Sequence, residues 1–396
     1  MKINHPLMHN NFIKSDMDAV RNIIKNKNLI LTQSKKVQEF EQKWSKWLNV
    51  KYSVFVNSGS SANFISMLIL KNLSKTNKKK EIIVPALTWV SDINSVIMSG
   101  FKPVFVDIDP KNLSMNLDQV KKKINKNTLA VFITHAQGFN GLSDSFLKEI
   151  KRKKIILVED VCESHGASFK KKKLGTFGLI SNFSFYYAHH MSTIEGGMIC
   201  TNNQKIYEMA KILRSHGMAR EAKNSKFENK MIKKYPKLSP QFIFLYPTFN
   251  FRNTEIGAVI GLNQLKRLNK NNTLRTRNFK LFLKLLDPMK YKTNYTVNGS
   301  SNYAIPIIFK KKSLEFRKKF ENTLKKNKIE FRRGNAGGGN QLLQPYLMRI
   351  KKVKDLKNYK NINHVHHFGY YIGNYPTLKI QRVLKTCKVL NSIKFK

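Results

Sequence analysis

The stretch "SFYYAHHMSTIEGGMICT", residues 184–201, places two adjacent histidines, His189 and His190, between residues of alternating bulk and Glu195-Gly196-Gly197. It reads as a buried strand presenting its end to a cleft, then a sharp turn back into an apolar run. An imidazole there can take one proton and give one, since its unperturbed pKa is near ~6.5. Other strand ends also carry chemistry. "SVFV" is followed by Asn57-Ser58-Gly59-Ser60-Ser61, small residues opening a helix whose backbone N–H groups and dipole suit a phosphate. Taken alone, that motif is an ordinary capped helix start. Trp89, just past "IIVPA", offers a flat face to a ring or a residue to the core. "KIILV" runs into Glu159, Asp160 and Glu163, and an aspartate ending a strand either caps a helix or holds a protonated heterocyclic nitrogen. Ser184 and His189 complete the set.

The elements that position these groups follow from periodicity. Val37, Phe40, Trp44, Trp47 and Leu48 recur at helical spacing and predict a helix over 35–49. "YSVFVNSG", "EIIVPA", "KPVFVDID", "TLAVFITH" and "KIILVED" are short β-branched runs that read as strands, most of them separated by helical patterns such as "SSANFISMLILKNL" and "DSFLKEIKRK". This rhythm predicts an open α/β fold, a mostly parallel central sheet flanked by helices, with ligands beyond the carboxyl ends of the strands. After the long helical stretch "TEIGAVIGLNQLKRLNKNNTLRTRNFKLFLKLL", the segments "SNYAIPIIF" and "SLEFRKKFENTLKKNKIEF" predict a smaller C-terminal α+β domain. The expected division is a large domain over 1–255 and a small one over 256–396. There is no internal repeat.

The 396 residues contain 73 basic and 24 acidic ones, a net charge of +49. That excess raises nucleic acid as a partner. The lysines are, however, spread through "TNKKKE", "VKKKINKN", "KRKKI" and "FKKKKLG", with no basic arm, zinc-finger spacing or aromatic RNA-binding signature. A solvated surface and a compositional bias toward Lys and Asn account for them better, so neither nucleic acid nor a membrane is an expected partner. No apolar run approaches the roughly 18 residues of a membrane span, and the N-terminus has no secretory h-region, so the cytoplasm is the expected location. Cys162, Cys200 and Cys387 are too few and too scattered for a disulfide framework.

A phosphate seat, a stacking ring, a carboxylate for a ring nitrogen and a basic residue on a strand together describe a pyridoxal phosphate site. The sequence resembles the fold-type I sugar aminotransferase superfamily, the DegT/DnrJ/EryC1/StrS group. The likeness runs nearly end to end through "LTQSKKVQEFEQKW", "VNSGSSANF", "VPALTWVSDINSV", "PVFVDIDP", "VEDVCESHGA", "SFYYAHH", "EGGMICT", "LRSHGM" and "FNFRNTEIGAVIGLNQL". Most members carry, where this chain has His189, a lysine that bonds covalently to the cofactor. The "HH…EGG" form and "RRGNAGGGNQLLQPYL" are similar instead to the branch of 3-dehydratases acting on 4-keto-6-deoxy nucleotide sugars.

The resemblance implies pyridoxal or pyridoxamine 5'-phosphate bound non-covalently and glutamate as amino donor. It also implies loss of the C3 hydroxyl from a sugar such as GDP-4-keto-6-deoxy-D-mannose, in deoxysugar and O-antigen biosynthesis. It makes His189 the acid/base, pairs Asp160 with the ring nitrogen, brings Glu163 to the ring hydroxyl and stacks Trp89 on the ring. Gly59, Ser60 and Ser184 would hold the phosphate, with Asn250 reaching over from the second subunit of a homodimer. His216, Arg220 and Arg252 are weaker candidates for substrate contacts. His190 is expected to be structural, and His364, His366 and His367 to be packing or surface, since their spacing matches no standard metal site. Iron–sulfur relatives need four cysteine thiolates, which three distant cysteines cannot supply. An aminotransferase, a dehydratase of another hexose, and a basic nucleic-acid-binding or regulatory homologue are the alternatives. The intact phosphate seat, Asp160 and Trp89 weigh against the last.

Overall fold

The computed structural model describes residues 3–9, 11–25, 30–74, 79–350 and 356–394; part of the lysine-rich "TNKKKE" stretch lies outside them. Its strands are β1 (Tyr52–Val56), β2 (Glu81–Pro85), β3 (Lys102–Val106), β4 (Thr128–Thr134), β5 (Ile156–Asp160), a two-residue pair β6 (Ser168–Phe169) and β7 (Lys172–Lys173), β8 (Ile180–Ser184), β9 (Gly197–Thr201), β10 (Ala304–Ile308), β11 (Phe331–Arg333) and β12 (Gly369–Gly373). Seven of them form a sheet in the order β1-β9-β8-β5-β4-β2-β3, in which β9 alone runs against the others. β1, β2, β4, β5 and β8 therefore end on one side, each opening into a loop there.

Both faces of this sheet are covered, as its near-continuous apolar strands require. Along β4, Ala130 and Phe132 enter one apolar cluster while Val131 and Ile133 enter another on the opposite face. The amphipathic helix α2 (Lys35–Leu48) follows α1 (Lys14–Ile24) and buries Val37, Phe40, Trp44 and Leu48, as the spacing predicts. Its first amides have no local cap. The buried Glu255 carboxylate receives the N–H groups of Ser34, Lys36 and Val37 at 2.8–2.9 Å, placing negative charge at the positive end of the helix.

Two local expectations are corrected. The strand expected to begin at Ser184 ends there. Phe185 and Tyr186 lie beyond β8, because Phe185 turns its backbone into a loop, donating to Gly196 O at 2.8 Å and accepting from Thr193 N at 3.0 Å. The left-handed residue of the following turn is Ile194 (φ 72°), whereas Gly196 and Gly197 are needed for close approach. A Cβ on Gly197 would lie 2.2 Å from Ser58 O. The long helical stretch is helical as expected, in two successive helices, Glu255–Leu265 and Leu268–Leu285.

The three-stranded antiparallel sheet β10-β12-β11, with the helix Leu314–Lys326, makes the smaller α+β unit. An N-terminal segment is strapped across it. The buried His5 ring bonds Gly373 O at 2.8 Å and Thr386 Oγ1 at 3.0 Å, which brings Leu7 and Met8 to the edge of the cavity described next. Among the described residues no helix is long and apolar enough to cross a membrane.

Candidate active site

A cavity of about 590 Å³ opens at the carboxyl ends of β1, β4, β5 and β8 and is closed by the loop after β11 and by Tyr371 of β12. Gly59, Ser60, Trp89, Asp160, Glu163, Ser184 and His189, all candidates from the sequence, line it.

The helix α3 (Gly59–Leu73) points its N-terminus into this cavity. Ser58 caps it, accepting from Ser61 N at 3.0 Å, and the amides of Gly59 and Ser60 precede the first intrahelical hydrogen bonds. A Cβ on Gly59 would sit 2.6 Å from the Ser184 Cβ and 3.1 Å from Cys162 Sγ. Glycine is thus what lets the helix start meet the end of β8, making a cradle of amides and hydroxyls that suits a phosphate.

Asp160 closes β5. Its Oδ1 accepts from Cys162 N at 2.8 Å and its Oδ2 from the Asn63 amide at 3.1 Å. Trp89 caps the helix α4 (Val90–Met98) and leaves 56% of its surface open at the cavity. Glu163 receives Gln137 N at 2.7 Å and the Tyr303 hydroxyl at 3.3 Å. Burial first, then the Asp160 charge, push its carboxyl up to about 7 against those hydrogen bonds.

His189 follows β8 in the loop, its N–H on Tyr186 O at 3.0 Å and its ring edge-on to Tyr303, centroids 5.5 Å apart. Burial lowers its imidazole to about 4, with Asp160 opposing and Arg275 adding to the shift. The ring is therefore neutral at pH 7, set to accept a proton, rather than balanced near its ordinary value. His190 turns away, bonds Ser301 O at 2.8 Å and stacks on His165 at 5.1 Å. Arg275, whose guanidinium burial lowers to about 9, supports this region through Tyr303 O and the backbone oxygen of His189.

Asn250, His216, Arg220 and Arg252 are not among the residues lining this cavity. They share one surface instead. His216 N bonds Phe249 O at 3.1 Å, Ser215 pairs with Asn250, Asn250 Oδ1 accepts from Arg252 N at 3.0 Å, and Arg220 lies over the Phe242 ring at 5.4 Å. His364 bonds Phe309 O at 2.6 Å, and His366 receives Asn340 N at 3.3 Å, steadying the glycine-rich loop. Sequence reasoning missed Tyr303, Tyr371, Arg332, Arg333 and Asn335 as lining residues. The run "RRGNAGGG" was the available signal for three of them.

The amide cradle, the carboxylate at the end of β5 and the open indole face fit a phosphorylated pyridine ring, and the cavity has room for a sugar beside it. The sequence model of the DegT/DnrJ/EryC1/StrS aminotransferase family matches residues 11–377. The chain belongs to this family. One relative, the GDP-4-keto-6-deoxy-D-mannose 3-dehydratase of Escherichia coli O55:H7, is 33% identical over 335 residues, covering 83% of this chain and 85% of its own. The GDP-perosamine synthase of Escherichia coli O157:H7 is 29% identical over 58% of this chain and 57% of its own. A solved structure of the E. coli GDP-4-keto-6-deoxy-D-mannose-3-dehydratase with bound hydrated PLP superposes with a TM-score of 0.87 at 29% identity, over 98% of this chain and all of the other. The fold is thus that of the pyridoxal phosphate-dependent aminotransferases, and this family member is an enzyme using pyridoxal or pyridoxamine phosphate.

Proposed function

We propose that the chain is a nucleotide-sugar 3-dehydratase, removing the C3 hydroxyl of a 4-keto-6-deoxy sugar, GDP-4-keto-6-deoxy-D-mannose first among them, with glutamate as amino donor. The observation that carries the proposal is His189. An imidazole lines the cavity beside Ser184, and no lysine is among its described lining residues. The cofactor is accordingly held without a covalent bond to the chain.

Bound here, the cofactor supplies an amine for the sugar's C4 carbonyl and an electron sink for loss of the C3 oxygen. The chain's residues do the rest. The amides of Gly59 and Ser60 and the Ser184 hydroxyl bind the phosphate, and Trp89 covers a ring face. Asp160 holds the proton of the ring nitrogen, which keeps the ring electron-poor. Glu163, backed by Tyr303, meets the ring hydroxyl. His189, neutral at pH 7, takes up a proton beside the ring and returns it to the departing C3 oxygen. Arg332 and Arg333 at the mouth suit the diphosphate of a nucleotide sugar.

Asn250, His216, Arg220 and Arg252 belong to this reading through a second subunit. They share the surface that exposes Phe242, Phe244 and Phe249, each 58–69% open, and a homodimer burying that surface would carry Asn250 to the partner's phosphate. Light scattering should give a dimer, and Phe242→Ser with Phe249→Ser should yield monomers.

The decisive assay incubates the protein with pyridoxal phosphate, glutamate and a panel of 4-keto-6-deoxy nucleotide sugars, read by mass spectrometry. A 3-deoxy-4-keto product is expected. A 4-amino sugar instead would establish amino transfer, the reading favoured by the resemblance to GDP-perosamine synthase.

A further inference from the structure

Behind the carboxylate of Asp160 lies a second one. Asp92, in the first turn of α4, is fully buried. Its Oδ2 accepts the hydroxyls of Thr88 and, at 2.6 Å, Thr134. The side-chain amide of Asn63, from α3, bridges the two acids, donating to Asp92 Oδ1 at 2.6 Å and to Asp160 Oδ2 at 3.1 Å. The backbone N–H of Asp92 closes on Trp89 O at 3.2 Å. One network therefore joins the helix that opens the phosphate cradle, the end of β4, the end of β5 and the segment carrying the indole.

Two ionised carboxylates buried side by side would repel each other strongly. Burial, then the charge of Asp160 and the hydrogen bond to it, hold the Asp92 carboxyl well above the usual carboxylate range. The site thus biases Asp92 toward its neutral form, in which a carboxyl can donate as well as accept. An ionised carboxylate in its place would add a second negative charge to the site, and an apolar side chain would leave Asn63, Thr88 and Thr134 without their acceptor.

We propose that Asp92 is a positioning residue for the cofactor ring: with Asn63 it fixes the Asp160 carboxylate against the ring nitrogen and ties it to the Trp89 segment. Asp92 touches neither ring nor sugar and acts through Asp160. The proposal rests on the reading that pairs Asp160 with the ring nitrogen, and does not depend on which sugar reaction follows.

The test compares pyridoxal phosphate with 1-deazapyridoxal phosphate, in which carbon replaces the ring nitrogen, by calorimetric titration of cofactor-free protein. The parent should prefer the natural cofactor by about tenfold or more, the worth of one charge-assisted hydrogen bond. Asp92→Ala and Asn63→Ala should lose most of that preference by weakening the natural cofactor, with affinity for the deaza analogue within about threefold of the parent's. Asp92→Asn, neutral and of the same shape, should keep the preference. Equal affinities in the parent would overturn the pairing of Asp160 with the nitrogen, and this proposal with it. A preference that persists in both alanine variants would overturn the role of Asp92 alone. So would an equal loss for both ligands, the mark of a merely structural residue, or an Asp92→Asn variant as impaired as Asp92→Ala.

Discussion

His189 and Glu163 face the same cavity, and their pKa values shift in opposite directions, each toward the neutral form. The histidine is driven neutral, to about 4, and the carboxyl is pushed up to about 7, both mainly by burial. His189→Lys tests the first. A lysine there should form a covalent link to the cofactor that borohydride fixes to residue 189, found by peptide mass analysis, whereas the parent should show no modified residue. Loss of C3 hydroxyl should fall by about a hundredfold or more, the usual worth of a positioned acid/base. A parental rate in the variant would remove His189 from that role. Glu163 makes a stability prediction for the cofactor-free protein. Its folded value, about 7, lies above its ordinary 4.5. The folded chain therefore keeps a proton that the unfolded chain has released, and stability declines as pH rises from about 4.5 to 7. Glu163→Gln should remove this decline, gaining up to about 3 kcal/mol on the parent across that window. His165, His189 and His190, all lowered mainly by burial, pull the other way at acid pH, so the difference between variant and parent urea curves is the quantity to read.

At the scale of elements, the join between α3 and β8 decides the phosphate seat. Gly59→Ala favours the helix by up to about 1 kcal/mol through propensity. The new Cβ, however, falls 2.6 Å from Ser184, between two buried segments that cannot both yield, and such overpacking costs about 1–3 kcal/mol. The clash wins: the variant should melt lower and bind pyridoxal phosphate at least about tenfold more weakly, by thermal and calorimetric titration. This join was half legible in the sequence. β1 to β5 announced themselves through β-branched runs, and the ends of three of them, β1, β2 and β5, supplied site candidates, because such sheets gather their loops at one end. Gly59, Ser60, Trp89 and Asp160 were found that way, and Ser184 as the start of the stretch that carries His189. Their supports were not. Asn63 reaches Asp160 across 97 positions and Tyr303 reaches Glu163 across 140, and no local pattern encodes such pairings. The end of β8 was misplaced for a related reason. Phe185 is as buried as strand residues are, but packing against Phe40 and Trp44 buries it rather than a ladder.

For the whole molecule, one apolar cluster runs from Val54 of β1, through Ile305 and Ile307 of β10, to Leu390 in the last helix, Ile380–Asn391. The strap at His5 adds a tie across the smaller sheet. Differential scanning calorimetry of the cofactor-free chain should accordingly give one transition, and two would place an independent boundary near the expected 255/256 division. That continuity sets how binding is felt. Ligand held at one end of the larger sheet must be released before any part of the cluster can open, so its binding energy is added to the unfolding of the entire chain. By mass action a hundredfold excess over the dissociation constant is worth about 2.7 kcal/mol. Cofactor should therefore delay the melting, the hydrogen exchange and the proteolysis of the smaller sheet together with those of the larger one, although most of that sheet never touches it.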